Sequence, residues 1–248
     1  MCKLIRAEVY RLLHSGSYVR CILLTALVMA FLPLLNDFSL LDKSLAENIE
    51  TFLLFDNMLI VYVPFVCVFF ITAGYMKKTA YYEVMAGNKI SHIIGSKLVV
   101  DGIGMGAVCF VLVIALPVVV AVKNGIGGVT ELPMRAFLFF VICLHVTVLT
   151  VFIGMSVKHF AACAVLFARL QFLDLMPAIL VPFLAEKINM GKETAERIVR
   201  CTLSQQIMDV FRAEISTELI VITVVSMVAE TALWYGITYV TMKKRWYR

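Results

Sequence analysis

The residues of this chain that could do chemistry are a few polar side chains set in long apolar stretches. Arg169, Gln171 and Asp174 lie in one stretch, His145 lies in the stretch before it, and Glu230 lies in the last one. A charge inside a membrane is costly, so such side chains are expected to face a bundle interior or a cavity. They are candidates for lining a path or a subunit interface, and an interhelical polar clamp is the structural alternative.

The spacing of these groups limits how they can pair. Arg169 and Asp174 are five residues apart, which is about 140° around an ideal helix, so they do not face each other. Glu230 could pair with Arg169 from a neighbouring helix. An ion- or proton-coupled carrier would use Arg169, Asp174 and Glu230. An intramembrane enzyme would need paired catalytic groups, and only His145 with Glu230 can be proposed for that role.

The composition identifies an integral membrane protein. The 248 residues are 62% hydrophobic and 16% charged, with a mean hydropathy of +0.94, and a soluble domain could not cover that much apolar surface. The length leaves no room for a separate soluble domain, so residues 1–248 are expected to form a single transmembrane domain.

Common catalytic and ligand-binding motifs are absent from the sequence. There is no H-E-x-x-H, no G-x-S-x-G and no G-x-x-x-x-G-K-[ST], so the chain is not expected to bind ATP through a P-loop. The seven cysteines show no C-x-x-C or Cys/His ligand spacing, which supports neither a disulfide framework nor a metal site. The basic residues lie at the ends of apolar runs, so nucleic-acid binding is not predicted.

Apolar runs of about 18 residues or more are long enough to cross a membrane as helices. The candidate spans are residues 19–35, 52–75, 98–122, 134–157, 160–185 and 219–242. The sequence therefore predicts an all-α, polytopic protein with six transmembrane helices. The spacing Gly102-x-x-x-Gly106 in the third run is typical of close helix packing.

The distribution of basic residues predicts the orientation of these spans. Thirteen Lys and Arg residues fall on the side that carries both termini, against three in the two shorter loops of the other side. By the positive-inside rule, both termini are expected in the cytoplasm. Residues 1–18 have amphipathic spacing and predict an interfacial helix with its basic face toward lipid headgroups. The outer loop 186–218 predicts one or two amphipathic helices.

This arrangement resembles the membrane subunit of type-2 ABC exporters, which are permeases that work with a separate ATPase. The resemblance covers essentially the whole chain and rests on layout. It is carried by an elbow helix with Glu8, Tyr10 and Arg11, by the segment Glu83-Val84-Met85-Ala86-Gly87-Asn88-Lys89 leading to Lys97, by the outer helices, and by Tyr235-x-x-x-Tyr239 before Lys243-Lys244-Arg245. Asn88 stands where serine is frequent in the family, and Arg169 and Asp174 are less usual there.

The resemblance implies that the cytoplasmic segment 76–97 docks on the ATPase. The implied ATPase-coupling residues are Tyr82, Glu83, Met85, Gly87, Asn88, Lys89 and His92, with Lys158 in a second, smaller contact. Gly87 would divide the segment into two pieces, and Ile90, Ile93 and Ile94 would anchor it on the membrane side. Glu83, Lys89 and His92 would then remain to engage the partner. An interfacial helix without any partner is the alternative.

The same resemblance implies a transport subunit in the plasma membrane and not an enzyme. Two permease copies, identical or different, would form the path among membrane lipids, while ATP and magnesium would bind to the partner ATPase and no cofactor to this chain. The cargo would be amphipathic: a peptide such as a bacteriocin, a drug or a lipid-like molecule.

Overall fold

The part of the chain that the structure describes is mostly helical. The structure is a computed structural model, and it describes residues 2–14, 42–49, 83–128, 130–156, 176–188, 191–212 and 215–246, with single positions at 16, 23, 27, 161 and 165. Within these ranges no strand occurs, which confirms the all-α fold class.

The helices follow one another in a simple order. They are α1 (Cys2–Leu13), α2 (Ile90–Lys97), the π-helix π1 (Leu98–Ile103), α3 (Gly104–Asn124), α4 (Leu132–Ser156), α5 (Met176–Lys187), α6 (Lys192–Arg200), α7 (Leu203–Arg212) and α8 (Thr217–Trp246). Because α2, π1 and α3 are contiguous, helical backbone continues without a break from Ile90 to Asn124.

Two described helices are long and apolar enough, by length and composition, to cross a membrane. They are Leu132–Ser156 and Thr217–Lys244, which coincide with the fourth and sixth expected spans. The third expected span is helical as π1 and α3. The expected spans at 19–35 and 52–75, and most of 160–185, lie outside the described residues. The number of six spans therefore stays a prediction from the sequence.

Helix α4 forms the centre of the described bundle. Nearly all of its side chains from Leu138 to Ser156 are buried, and α3 and α8 pack against it. The predicted close packing at the glycines is present: a methyl group built on Gly106 would lie 2.7 Å from Leu144 Cδ2. Beside it, the Thr147 hydroxyl donates to the carbonyl oxygen of Gly102 at 3.0 Å. Small residues therefore let α3 and α4 approach closely.

The packing brings distant segments together at each end of the bundle. At one end, Leu4 of α1 and the isoleucines of α2 pack with Met155 of α4 and Met242 of α8. Leu45, Leu138 and Leu203 belong to the other large core cluster. Helices α1 and α2 and the end of α8 thus lie at the same end of the described bundle. The orientation of the chain in a membrane stays a prediction from the sequence.

The opposite end carries α6 and α7, which lie in the stretch 186–218 where the sequence predicted one or two amphipathic helices. Helix α7 buries Leu203, Ile207 and Val210 in the main core cluster. Arg135, at the start of α4, is also buried and donates from Nη1 to the carbonyl oxygen of Val210. This hydrogen bond ties the end of α7 to the beginning of α4.

Candidate functional site

The candidate site is the joint between α1, the turn at residues 83–89 and the helix that begins at Ile90. Helix α1 places Leu4, Glu8 and Arg11 on one face because they follow the i, i+4, i+7 spacing of a helix. Leu4 packs against the apolar cluster of α2, and Glu8 is buried. Lys3 and Arg6 are exposed, as expected for a basic outer face. The inward face is nevertheless charged, which the amphipathic spacing did not reveal.

Five charged residues alternate in sign across this joint, and we call them the charge chain: Glu83, Lys97, Glu8, Arg11 and Asp101. Lys97 forms an ion pair with Glu8 and lies 3.9 Å from Glu83 Oε1. Arg11 Nη2 lies 2.7 Å from Glu8 Oε2 and 3.7 Å from Asp101 Oδ2. Glu8 therefore pairs with both cations. Glu83 faces Lys97 and Asp101 faces Arg11, each at a longer distance.

The centre of the charge chain is withdrawn from solvent. The side chains of Lys97, Asp101 and Glu8 are 0%, 1% and 4% exposed, whereas those of Glu83 and Arg11 are 21% and 31% exposed. Burial of charged groups is costly unless they are paired with groups of opposite charge. The alternating signs of these five residues provide such pairs. Buried oxygens of Glu83 and Asp101 nevertheless lack a hydrogen-bond donor among the described residues.

The electrostatic surroundings act on Glu83 in particular. Burial raises the pKa of the Glu83 carboxyl above its ordinary value, because it disfavours the ionised form. Lys97 opposes this shift, and Glu8 adds to it both as a like charge and as a hydrogen-bonding partner. Glu83, which the resemblance assigns to the contact with a partner protein, is 21% exposed and lies 3.9 Å from Lys97 of its own chain.

An apolar layer lies beside the charge chain. Ile90, Ile93 and Ile94 are 5%, 0% and 0% exposed, and they pack in one cluster with Phe152 and Met155 of α4. This is the anchoring that the sequence predicted for the three isoleucines. Because Met242 of α8 joins the same cluster, α2 is attached to both long helices.

The turn before α2 presents the surface that remains open. Gly87 has φ +81°, a conformation that favours glycine, and its backbone N–H donates to the Val84 carbonyl at 2.9 Å. The Asn88 side chain donates to the Glu83 carbonyl at 3.0 Å and closes the turn. Met85 is 68% exposed, and Lys89 and His92 are exposed as well. Tyr82 and Lys158, also expected to take part in coupling, lie outside the described residues.

A second polar group joins α4 to α8. The His145 Nε2 atom lies 3.1 Å from Glu230 Oε2, so the two residues suggested for an intramembrane enzyme are in contact. Further toward the end with the termini, the hydroxyls of Ser156 and Thr238 are 2.7 Å apart. Arg169, Gln171 and Asp174 lie outside the described residues, so the suggested pairing of Glu230 with Arg169 stays a prediction.

The His145–Glu230 pair has the geometry of a clamp between helices. His145 Nδ1 is buried and has no hydrogen-bond partner among the described residues. The neighbouring hydroxyls of Thr147 and Thr150 bond to carbonyl oxygens, so in the described part of the bundle neither is poised as a nucleophile. The described ranges also hold no cluster of three or more His, Cys, Asp or Glu residues suited to a metal ion.

The charge chain was only partly visible in the sequence. Lys97 and Glu8 were noted separately, as parts of two different motifs, and Asp101 was not singled out. The available signal was a lone aspartate in an apolar run. It comes four residues after Lys97, which places both residues on the same face of a helix.

Comparisons with known proteins add no identification: no protein-family model, no curated protein and no solved structure matches this chain.

Proposed function

We propose that this chain is the permease subunit of an ATP-binding cassette exporter, driven by a separate cytosolic ATPase. The observation that carries the proposal is the construction of the joint. An exposed turn at residues 85–89 continues into α2, which is attached to α1 by charge and to α4 and α8 by apolar packing. A partner that moved this turn would move α2, and with it the three helices attached to α2, which are α1, α4 and α8.

The joint suits the transmission of force more than it suits chemistry. The exposed residues Met85, Lys89 and His92 provide one apolar and two polar contacts for a partner protein. The opposite face is buried against the bundle, so displacement of α2 cannot be absorbed by solvent-exposed side chains alone. Since interiors are close-packed, such a displacement is passed on to the neighbouring helices.

The remaining parts of the proposal follow from the sequence. The chain has no P-loop, so the energy of ATP hydrolysis would come from the partner, which would also bind magnesium. Six spans would form half of a transport path, so a second permease copy, identical or different, would complete it. The protein would lie in the plasma membrane with both termini in the cytoplasm, and its cargo would be an amphipathic peptide, a drug or a lipid-like molecule.

The experiment that tests this function is co-purification of this chain with a cytosolic ABC ATPase of the same organism, followed by assay of ATP hydrolysis in proteoliposomes. We expect the permease to stimulate hydrolysis, and we expect Met85→Ala and Lys89→Ala to reduce that stimulation without altering thermal unfolding. Leu184→Ala is the matched control, because Leu184 is an exposed apolar residue on α5. The function is wrong if the ATPase does not co-purify, or if Gly87, Asn88 and Lys89 variants leave stimulated hydrolysis intact.

The contact between His145 and Glu230 favours one alternative, an ion- or proton-coupled carrier. A buried imidazole next to a carboxylate is a group that can take up a proton. A carrier of this kind would transport cargo in vesicles without any ATPase and would lose that transport in Glu230→Gln. An intramembrane enzyme based on the same pair is less well supported, because the nearby hydroxyls of Thr147 and Thr150 are bonded to backbone carbonyl oxygens.

A further inference from the structure

Asp101 is the member of the charge chain with the poorest contacts. Its side chain is 1% exposed, and both of its oxygens lack a hydrogen-bond donor among the described residues. The cation that faces it is Arg11, whose Nη2 atom lies 3.7 Å from Asp101 Oδ2, too far for a hydrogen bond. A buried carboxylate is costly unless it is paired and hydrogen-bonded. Any movement that brings Arg11 closer therefore stabilises Asp101.

The Nε atom of Arg11 is the donor that can complete a pair with Asp101. It is buried without a hydrogen-bond acceptor among the described residues, while Nη2 on the same edge of the guanidinium group lies 2.7 Å from Glu8 Oε2. Arginine often pairs with a carboxylate through two parallel N–H groups. Such a bidentate pair would use both Asp101 oxygens together with Nε and Nη2. Three of these four atoms are the ones that lack hydrogen-bond partners in the described joint.

We propose that Arg11 exchanges between two carboxylates: Glu8, which it contacts in this structure, and Asp101, with which it forms a bidentate pair through Nε and Nη2. The exchange moves Nη2 by only about 1 Å, from 3.7 Å to the length of a charge-assisted hydrogen bond. Glu8 remains paired in both states, because Lys97 forms an ion pair with its other oxygen, Oε1. Each of the two carboxylates therefore faces a cation in either state.

The two carboxylates belong to different helices, so the exchange changes how α1 is attached to the bundle. Glu8 and Arg11 are both on α1, whereas Lys97 ends α2 and Asp101 lies in π1. Four helical residues separate Lys97 from Asp101, which is about 6 Å along the axis. In the observed state, α1 has one close ion pair to this helical run, at Lys97. In the second state it has two, and the attachment is tighter.

The backbone that carries Asp101 is fixed to the bundle, so Arg11 is the residue that moves. Gly102, the next residue, packs against α4: a methyl group built on it would lie 3.3 Å from Val148 Cγ2. Its carbonyl oxygen also accepts the Thr147 hydroxyl at 3.0 Å. The Arg11 side chain, in contrast, is long and 31% exposed. The π-helical turn around Asp101 agrees with such a device, since π-turns within α-helices are rare and occur frequently at functional sites.

The test compares the full-length wild type with Glu8→Gln in nanodiscs, by NMR of isotope-labelled arginine. Arg11→Lys identifies the Arg11 signal. In the wild type, the Arg11 Nε–H signal should be that of a group without an acceptor. In Glu8→Gln, which releases Arg11, it should move downfield and exchange more slowly with water. Glu8→Asp, which shortens the side chain by one methylene, should shift the signal in the same direction if Glu8→Gln cannot be isolated. Glu193→Gln on α6, which removes an exposed pair with Arg197, should leave the Arg11 signal unchanged.

A double-mutant cycle of Arg11→Gln and Asp101→Asn provides a second measurement. The coupling between the two residues, expressed as a factor in the unfolding equilibrium constant, should be about tenfold larger in the Glu8→Gln background, because a bidentate pair replaces a 3.7 Å contact. Equal coupling in the two backgrounds would overturn the proposal. So would an Arg11 signal that is the same in the wild type and in the Glu8 variants.

The use of this exchange in transmitting movement rests on the proposed function. With a cytosolic ABC ATPase of the same organism bound, addition of a non-hydrolysable ATP analogue should shift the Arg11 signal toward that of Glu8→Gln. If the ATPase binds and the signal does not shift, the exchange takes no part in transmission. If no ATPase binds, the proposed function fails, while the signal and the double-mutant cycle still decide whether Arg11 exchanges its partner.

Discussion

Lys97 and Glu8, which are 89 residues apart in the sequence, form an ion pair in the interior of the protein. The Lys97 side chain is fully buried, and Glu8 simultaneously accepts Arg11 from its own helix. This contact joins the first helix of the chain to the helix that leads into the third expected span. In the proposed exporter, this contact would transmit movement between the two segments.

Breaking the ion pair from the lysine side should strongly destabilise the fold. Lys97→Met keeps the length of the side chain and removes its charge, which leaves Glu8 and Glu83 buried with Arg11 as their remaining described cation. Removing one partner of a buried pair costs roughly 3–5 kcal/mol. We expect a lower thermal midpoint in detergent, and partial recovery in the double variant Glu8→Gln/Lys97→Met. Additive losses in this double-mutant cycle would contradict the pairing.

The packing of α3 on α4 can be tested at two neighbouring glycines. A methyl group on Gly106 would lie 2.7 Å from Leu144 Cδ2 and 2.9 Å from Thr147 Oγ1, whereas one on Gly104 would meet nothing within 4 Å. Gly106→Ala should therefore cost about 1–3 kcal/mol through overpacking. Gly104→Ala, the matched control, should be neutral or slightly stabilising. Equal thermal unfolding of the two variants would show that α3 does not meet α4 at Gly106.

Residues 45–49 form a further short helix, and this helix should lose stability in acid. The backbone N–H and hydroxyl of Ser44 both donate to Glu47, at 2.8 and 2.9 Å, and these bonds lower the pKa of Glu47. The stabilisation is present above the ordinary pKa of a glutamate and is lost as the pH falls through the lowered, folded-state value. Hydrogen exchange at residues 45–49, corrected for intrinsic rates, should accelerate at low pH in the wild type.

Glu47→Gln supplies the comparison for this acid response. The variant cannot ionise, so its local exchange should already be faster at neutral pH and should change less on acidification. Glu193→Gln again serves as a control, because Glu193 is exposed and lies in a different helix. Identical exchange profiles in Glu47→Gln and the wild type would show that Glu47 does not cap this helix.

If His145 and Glu230 clamp α4 to α8, Glu230→Gln and Glu230→Ala should differ in stability. Glu230→Gln can still accept a hydrogen bond from His145 and should preserve stability and ATPase stimulation. Glu230→Ala leaves the buried imidazole without this partner, which costs about 1–3 kcal/mol. Thermal unfolding and transport should be measured for both variants. Loss of transport in Glu230→Gln at unchanged stability would contradict a clamp and favour the proton-coupled carrier.

Local properties of the fold were predictable because they depend on residues close together in the sequence. The apolar runs, the amphipathic outer helices and the turn at Gly87 follow from periodicity and from the conformational freedom of glycine. The burial of Ile90, Ile93 and Ile94 and the close packing at Gly102 and Gly106 follow from helical spacing. In each case the signal lies within one or two turns of helix.

The sequence by itself thus determined an all-helical chain with membrane-length apolar runs, and it predicted a structured segment at residues 76–97 between two of those runs. Only the tertiary structure decided the partners: Glu8 and Arg11 turn inward to meet Lys97 and Asp101, and Glu230 meets His145. No spacing rule could show this, because pairing between distant helices depends on how they rotate and approach. The inward orientation of Glu83 has the same origin, because its carboxylate faces Lys97, which the tertiary structure brings to within 3.9 Å.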